Sequence, residues 1–348
     1  MLKPIASLSC DLDDKWTYMK SYGLALGTPL PSYLGAIVPR LLDFLKKRDL
    51  TITVFIVGQD AALDHNMEVL RSISDMGHEI GNHSFHHDPW LHLYSDTQIE
   101  REIAEADEHI ERATGQKPVG FRGPGYSVSI ATLRMLARRG YLYDATTLPT
   151  FLNPLARAYF LMTAKLGGEE SRRREGLFGS FTDGFRPVKP YQWRLDDLKL
   201  IEIPVTTMPI VKLPFHVSYI LYLAGFSRAL ALQYFRMALD LCRWTGTEPS
   251  LLLHPLDFLG CEDVQDLSFF PGMKLPFQKK IEVVAEVIDL FCQAFTVLTM
   301  REHAHRQANR ADLPVIELAP STGSSDAKIF DSPAVGMRAS SDTRFERR

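Results

Sequence analysis

The chain has 348 residues, 45% of them hydrophobic, enough for a large core in either two ordinary domains or one α/β barrel. The formal net charge is -3 and the densest basic run is Arg172-Arg173-Arg174, which argues against a nucleic-acid partner. Cys10, Cys242, Cys261 and Cys292 stand apart with no Cys-x-x-Cys, the first residues lack a signal peptide's apolar core, and there is no charge-free apolar run of about 18 residues, so a cytoplasmic protein with free thiols and no spanning helix is expected.

Residues 5–12 read as a buried first strand ending in acidic residues, and 16–31 as a long loop over its end. A helix over 34–48 turns Leu34, Ile37, Val38, Leu41, Leu42 and Leu45 inward. Residues 50–57 form a β-branched strand, 67–76 a helix, and 78–81 a short strand leading into Asn82-His83-Ser84-Phe85-His86-His87. The helix at 96–114 opens with a Ser95/Gln98 capping box, carries the stripe Ile99, Ile103, Ala106 and Ile110, and stops at Gly115. Residues 119–121 are a strand, 129–139 a helix, and 141–144 the start of another strand. This βα alternation implies a parallel sheet with right-handed crossovers, either a barrel or a doubly wound sheet.

The pattern breaks over 150–200, which reads as an insertion holding an apolar helix (155–166), a charged stretch (169–175) and a Pro-rich loop. Residues 200–206 resume as a strand. The stretch 209–226 is apolar and aromatic, with Phe215, Tyr219, Tyr222, Leu223 and Phe226. It is read first as packing over an enlarged barrel and second as a pocket wall or peripheral membrane contact beside a lipid-linked sugar. A helix to 241, a strand at 251–253, a helix at 277–295 and a closing strand at 295–298 follow. One domain over 1–303 is expected, with 304–348 as a disordered tail.

In a parallel α/β architecture the functional site lies at the C-terminal strand ends. Asp11, Asp13 and Asp14 close the first strand, His83 and His87 follow the 78–81 strand, Arg122 follows 119–121, and His254 closes 251–253. His83 and His87 stand four apart, so one helical turn would set both imidazoles on one face, a spacing suited to one divalent metal; His86 points off that face. The same pair also occurs on solvated helix faces. A carboxylate with two histidines leaves open positions for water and substrate, and a second carboxylate and an opposed histidine would serve as base and acid in amide or ester hydrolysis.

Gly77-His78-Glu79-Ile80-Gly81-Asn82-His83-Ser84-Phe85-His86-His87 resembles the second motif, His-[Ser/Thr]-x-x-His, of the polysaccharide deacetylases (carbohydrate esterase family 4). Asp11-Leu12-Asp13-Asp14-Lys15 is similar to their first motif, Phe121-Arg122-Gly123-Pro124 to the third, and Leu251-Leu252-Leu253-His254 to the fifth. The resemblance implies a distorted (β/α) barrel of about seven parallel strands, here with an inserted apolar segment. It also implies a divalent ion, zinc first, with cobalt, nickel, iron or manganese as alternatives. Ligands would be an Asp with His83 and His87, His254 would be the acid, and Arg122 would orient an Asp base. Pro124 and Tyr126 would line the substrate side, with a backbone N–H near the third motif on the oxyanion.

Aligned on the paired acids, the preferred register, Asp13 is the base and Asp14 the ligand; in the Asp-x-Asp register Asp11 is the base and Asp13 the ligand. Asp144 and Asp257 are both candidates for the acid that orients the catalytic His. The expected function is metal-dependent removal of an N-acyl group, acetyl first, from an amino sugar of a polysaccharide or glycolipid. A ureide-type amidohydrolase and a non-catalytic carbohydrate-binding barrel are the alternatives.

Overall fold

The first strand sets the architecture by alternation. In β1 (Ile5–Leu12), Ala6, Leu8, Cys10 and Leu12 turn into the core shared with the helices, while Ser7, Ser9 and Asp11 turn the other way. The computed structural model describes residues 3–155, 158, 181–270 and 272–318. The further strands are β2 (Thr53–Ile56), β3 (Glu79–Asn82), β4 (Gly120–Phe121), β5 (Tyr143–Asp144), β6 (Tyr191–Leu195), β7 (Leu198–Glu202), β8 (Ser250–Leu253), β9 (Thr296–Leu298) and β10 (Val315–Leu318). The helices are α1 (Lys15–Ser21), α2 (Leu34–Lys46), α3 (Gly58–Ala61), α4 (Met67–Asp75), α5 (Asp96–Thr114), α6 (Ile130–Arg138), α7 (Val217–Ala224), α8 (Arg228–Thr245), α9 (Phe277–Ala294) and α10 (Met300–Ala308).

The run β7-β5-β4-β3-β2-β1-β8 is parallel throughout. Beyond β7 the chain runs on until Thr206 N–H reaches Ser250 O at 3.1 Å, which brings the two ends of the run together as a distorted barrel. The expected closing strand does not close it. β9 lies beside the first half of β1, pairing Ile5 with Thr296.

Three other expectations change. Residues 16–31 are not all loop, because Asp14 caps α1 by accepting from Lys15 N at 2.7 Å. The 150–200 segment is not wholly an insertion: β6 and β7 form an antiparallel hairpin that extends the sheet to β10. The apolar segment over 155–166 and the charged run 169–175 lie outside the described residues, apart from Leu155 and Ala158. The tail does not begin at 304, since α10 runs to Ala308 and β10 pairs with β6; residues 319–348 lie outside the described residues.

The interior is plugged at the N-terminal strand ends by α10. Met300 N–H donates to Thr53 Oγ1, Arg301 N–H to Glu79 Oε2, both at 2.8 Å, and His303 Nδ1 meets Ser7 Oγ at 2.9 Å. That leaves the opposite end for chemistry. In the 209–226 stretch Phe215, Val217, Ile220 and Leu221 are buried in the main core and Ile210, Val211, Tyr222 and Phe226 are exposed, so it acts mainly as packing and the membrane reading gains no support from it. Among the described residues no helix is long and apolar enough to cross a membrane.

A candidate metal centre at the strand ends

The histidine loop is held from below and behind. Asn82, at the end of β3, accepts Ser84 N–H on Oδ1 at 2.8 Å and anchors its own amide on Ile103 O and Asp107 of α5. Glu102, also on α5, accepts the N–H groups of Phe85 and His86 at 3.1 and 2.9 Å and pairs with His86 Nδ1 at 2.5 Å. The loop is not a helical turn. Ser84 and His87 take left-handed backbone angles, φ 61° and 53°, a conformation that costs energy and persists because these anchors impose it. Gly81 is needed just before it, since a Cβ there would stand 2.4 Å from the Phe55 ring inside the barrel.

This loop turns both imidazoles onto one carboxylate oxygen. Asp13 Oδ1 lies 3.0 Å from His87 Nε2 and 3.2 Å from His83 Nε2. All three side chains are buried, and their ligand-type atoms lie within 4.8 Å of one another. His83 Nδ1 sits 2.6 Å from Arg122 O, and a carbonyl only accepts, so Nδ1 carries the hydrogen. In the neutral ring the Nε2 lone pair therefore points at a carboxylate oxygen. Two acceptors at that distance repel unless a cation lies between them, which is the arrangement of a metal-ligating histidine backed by a carbonyl. Burial would raise the Asp13 carboxyl, but His87 and His83 hold it well below the usual carboxylate range. Burial pulls His83 down, and Asp11 and Asp13 outweigh it, so its net shift is upward.

The structure corrects the assignment of the acids. Asp14 does not reach the histidines; its Oδ1 takes Lys15 N–H and Tyr33 N–H at 2.7 and 2.8 Å. Asp13, rather than Asp14, is the acid that stands with the two histidines, and Asp11, on the same face of the chain, meets Arg122 Nη1 at 2.7 Å. Arg122 is 1% exposed and also bonds Ser9 Oγ and Ala145 O, each at 2.9 Å, with its guanidinium 4.4 Å from the Phe55 ring centre. These contacts give Asp11 one orientation.

His254 closes the opposite side. The β1–β8 register pairs Cys10 with Leu253, which sets His254 beside Asp11. Its Nδ1 lies 3.1 Å from Ser218 Oγ, which donates to Asp257 Oδ1 at 2.7 Å. Asp144 pairs with Glu202 across β5 and β7 instead. Pro124 is buried at the start of a turn in which Gly125 and Tyr126 both have positive φ. Tyr126 packs on Leu148, Val205 and Leu252, and burial together with Asp11 raises its phenol. Tyr126 N–H is turned back onto Gly123 O. Ser9, Glu102 and Ser218 were not foreseen as site residues; a charged Glu102 between Ile99 and Ile103 was the one signal in the sequence.

A parallel α/β barrel with a carboxylate–imidazole pocket at its C-terminal strand ends is the class of molecule these features define. Residues 30–143 match the polysaccharide deacetylase family model. A peptidoglycan-N-acetylmuramic acid deacetylase of Bacillus subtilis is 36% identical over 110 residues, 31% of this chain and 41% of that protein. A peptidoglycan deacetylase of Helicobacter pylori is 27% identical over 157 residues, 43% of this chain and 52% of that protein. The chain thus spans about half the length, or less, of these curated relatives. The crystal structure of a polysaccharide deacetylase candidate from Mycobacterium smegmatis superposes with a TM-score of 0.54 at 20% identity, covering 93% of this chain and 99% of that one, a likeness of fold.

Proposed function

We propose that this chain hydrolyses the N-acetyl group of an amino sugar in a cell-wall-type polysaccharide, with a divalent ion, zinc first, held by Asp13, His83 and His87. The observation that carries the reading is the convergence of both imidazole Nε2 atoms on Asp13 Oδ1, with an Arg122-bound Asp11 and His254 ranged beside it. The bound ion would polarise the amide carbonyl and lower the pKa of water.

The remaining chemistry belongs to the chain. Asp11, oriented by Arg122, which Ser9 Oγ holds in turn, takes the proton of the attacking water. His254 delivers a proton to the departing amine nitrogen, so that the amine leaves neutral and acetate is released. Arg122 orients Asp11 from below and, through its main-chain carbonyl, fixes the His83 tautomer. The relatives named for peptidoglycan support an N-acetylated cell-wall glycan as the substrate class.

The test is acetate release from a panel of peptidoglycan fragments and N-acetylglucosamine oligomers, read against a His254→Ala control. Release by the wild type and its loss in the control is the expected result. Release from no glycan by a protein that binds metal would sink the glycan reading and leave a small-amide substrate.

A further inference from the structure

Among the described residues, the His254 imidazole meets no carboxylate directly. Ser218, on the first turn of α7, stands between its Nδ1 and Asp257, at 3.1 Å from the one and 2.7 Å from the other. A serine hydroxyl has one proton. Asp257 accepts from both this hydroxyl and the His254 backbone N–H, at 2.8 Å on its other oxygen, the bonding pattern of a carboxylate. With its proton committed to Asp257, Ser218 Oγ can only accept from His254; the Asp257 backbone N–H beside this ring bonds the His254 carbonyl at 3.0 Å, so the atom Ser218 faces is Nδ1–H. Backbone, Asp257, Ser218 and imidazole then close a ring that fixes both the rotation and the tautomer of His254.

We propose that Ser218 is a positioning residue that relays Asp257 to His254, holding the Nδ1–H tautomer so that Nε2 is the atom facing the site. The order carboxylate–hydroxyl–imidazole sets it apart from a nucleophilic serine, whose proton must point at the imidazole. The titratable groups around His254 agree with this role. Asp11 lies beside it on β1, Asp257 sits on its own turn, and Lys280 of α9 acts on Asp257. His216, just before α7, has its ring centre 6.1 Å away, and burial, then the neighbouring His254, push it down to about 3.

The catalytic consequence rests on the deacetylase reading, but the tautomer does not. Nitrogen-15 NMR of histidine-labelled full-length protein, with His254→Gln to identify the signals, should show a pyrrole-type Nδ1 and a pyridine-type Nε2 for His254. Ser218→Ala should shift His254 toward the opposite tautomer and lower kcat about ten- to a hundred-fold, the loss of one hydrogen bond to a charged group, with KM little changed. Ser218→Thr, which keeps the hydroxyl, should restore both. A wild-type His254 protonated on Nε2 alone, or a Ser218→Ala protein with unaltered tautomer and kcat, overturns the relay. A wild type that releases no acetate refutes the functional reading instead, while the NMR result still decides the relay.

Discussion

Replacing Arg122 by Met isolates the ion pair on which the orientation of Asp11 depends. Methionine keeps an unbranched apolar chain against the Phe55 ring, so lost packing contributes little. What is lost is the only side-chain partner found, among the described residues, for a carboxylate that is 4% exposed, at 2.7 Å, together with donors to Ser9 Oγ and Ala145 O. Breaking one side of such a buried pair costs about 3–5 kcal/mol, a large part of the roughly 5–15 kcal/mol by which domains are stable. Urea unfolding at neutral pH should show that loss as a lower midpoint at constant slope. Asp11→Asn in the Arg122→Met background should recover about 2 kcal/mol or more, because the stranded charge is gone. Metal binding should persist in Arg122→Met, since His83 is held by the residue's carbonyl rather than its side chain. A loss under about 1 kcal/mol, or strict additivity in the double variant, would refute the reasoning.

Asp13→Ala should abolish metal binding, whereas Asp14→Ala should keep it and cost about 1–2 kcal/mol for the lost α1 cap, a contrast that calorimetric metal titration and urea unfolding read directly. Glu102→Ala removes the acceptor of two loop N–H groups and the His86 partner, and should weaken metal affinity about 10–100-fold without touching a ligand. Asp144 is pushed well above the carboxylate range by burial and then by Glu202, so it favours the folded state fully only below about pH 4 and loses that contribution as pH rises through its folded value. Asp144→Asn keeps a donor to the Glu202 carboxylate it faces and carries no charge of its own, so its stability should match or exceed the wild type at about pH 8 and lose that advantage toward pH 4. A wild-type advantage that grows with pH would contradict it.

Much of the barrel was legible because its signals are local. The β2–α6 stretch announces itself by hydrophobic period and by caps such as Ser95 and Gln98, whose capping box is present. The closing elements were not, because closure depends on partners far away in sequence. β7 overlaps the strand read over 200–206, but β6, though Tyr191, Trp193 and Leu195 alternate with Gln192 and Arg194, is only five residues long and pairs with β10 from far along the chain. In turn, α10 buries His303 and Gln307 beside Met300 and Ala304, so its inward face reads as polar. At the site, strand ends were a sound guide to position. The two histidines meet, but through two left-handed residues rather than a helical turn. The acid register was readable from strand alternation: Ser7, Ser9, Asp11 and Asp13 share one parity and Asp14 has the other. Nothing in the chain near Ser218 announces its partners, which arrive from 36 and 39 residues away.

The central claim is that Asp13, His83 and His87 hold a divalent ion on which hydrolysis depends. The direct test is to strip the wild type with chelator, titrate zinc or cobalt back, and follow metal content and acetate release from an N-acetylated glycan together, with Asp13→Ala alongside. The structure predicts one equivalent bound, activity restored in proportion to it, and neither in Asp13→Ala. Acetate release that survives removal of the metal, or an Asp13→Ala protein that binds and responds as the wild type does, would contradict it.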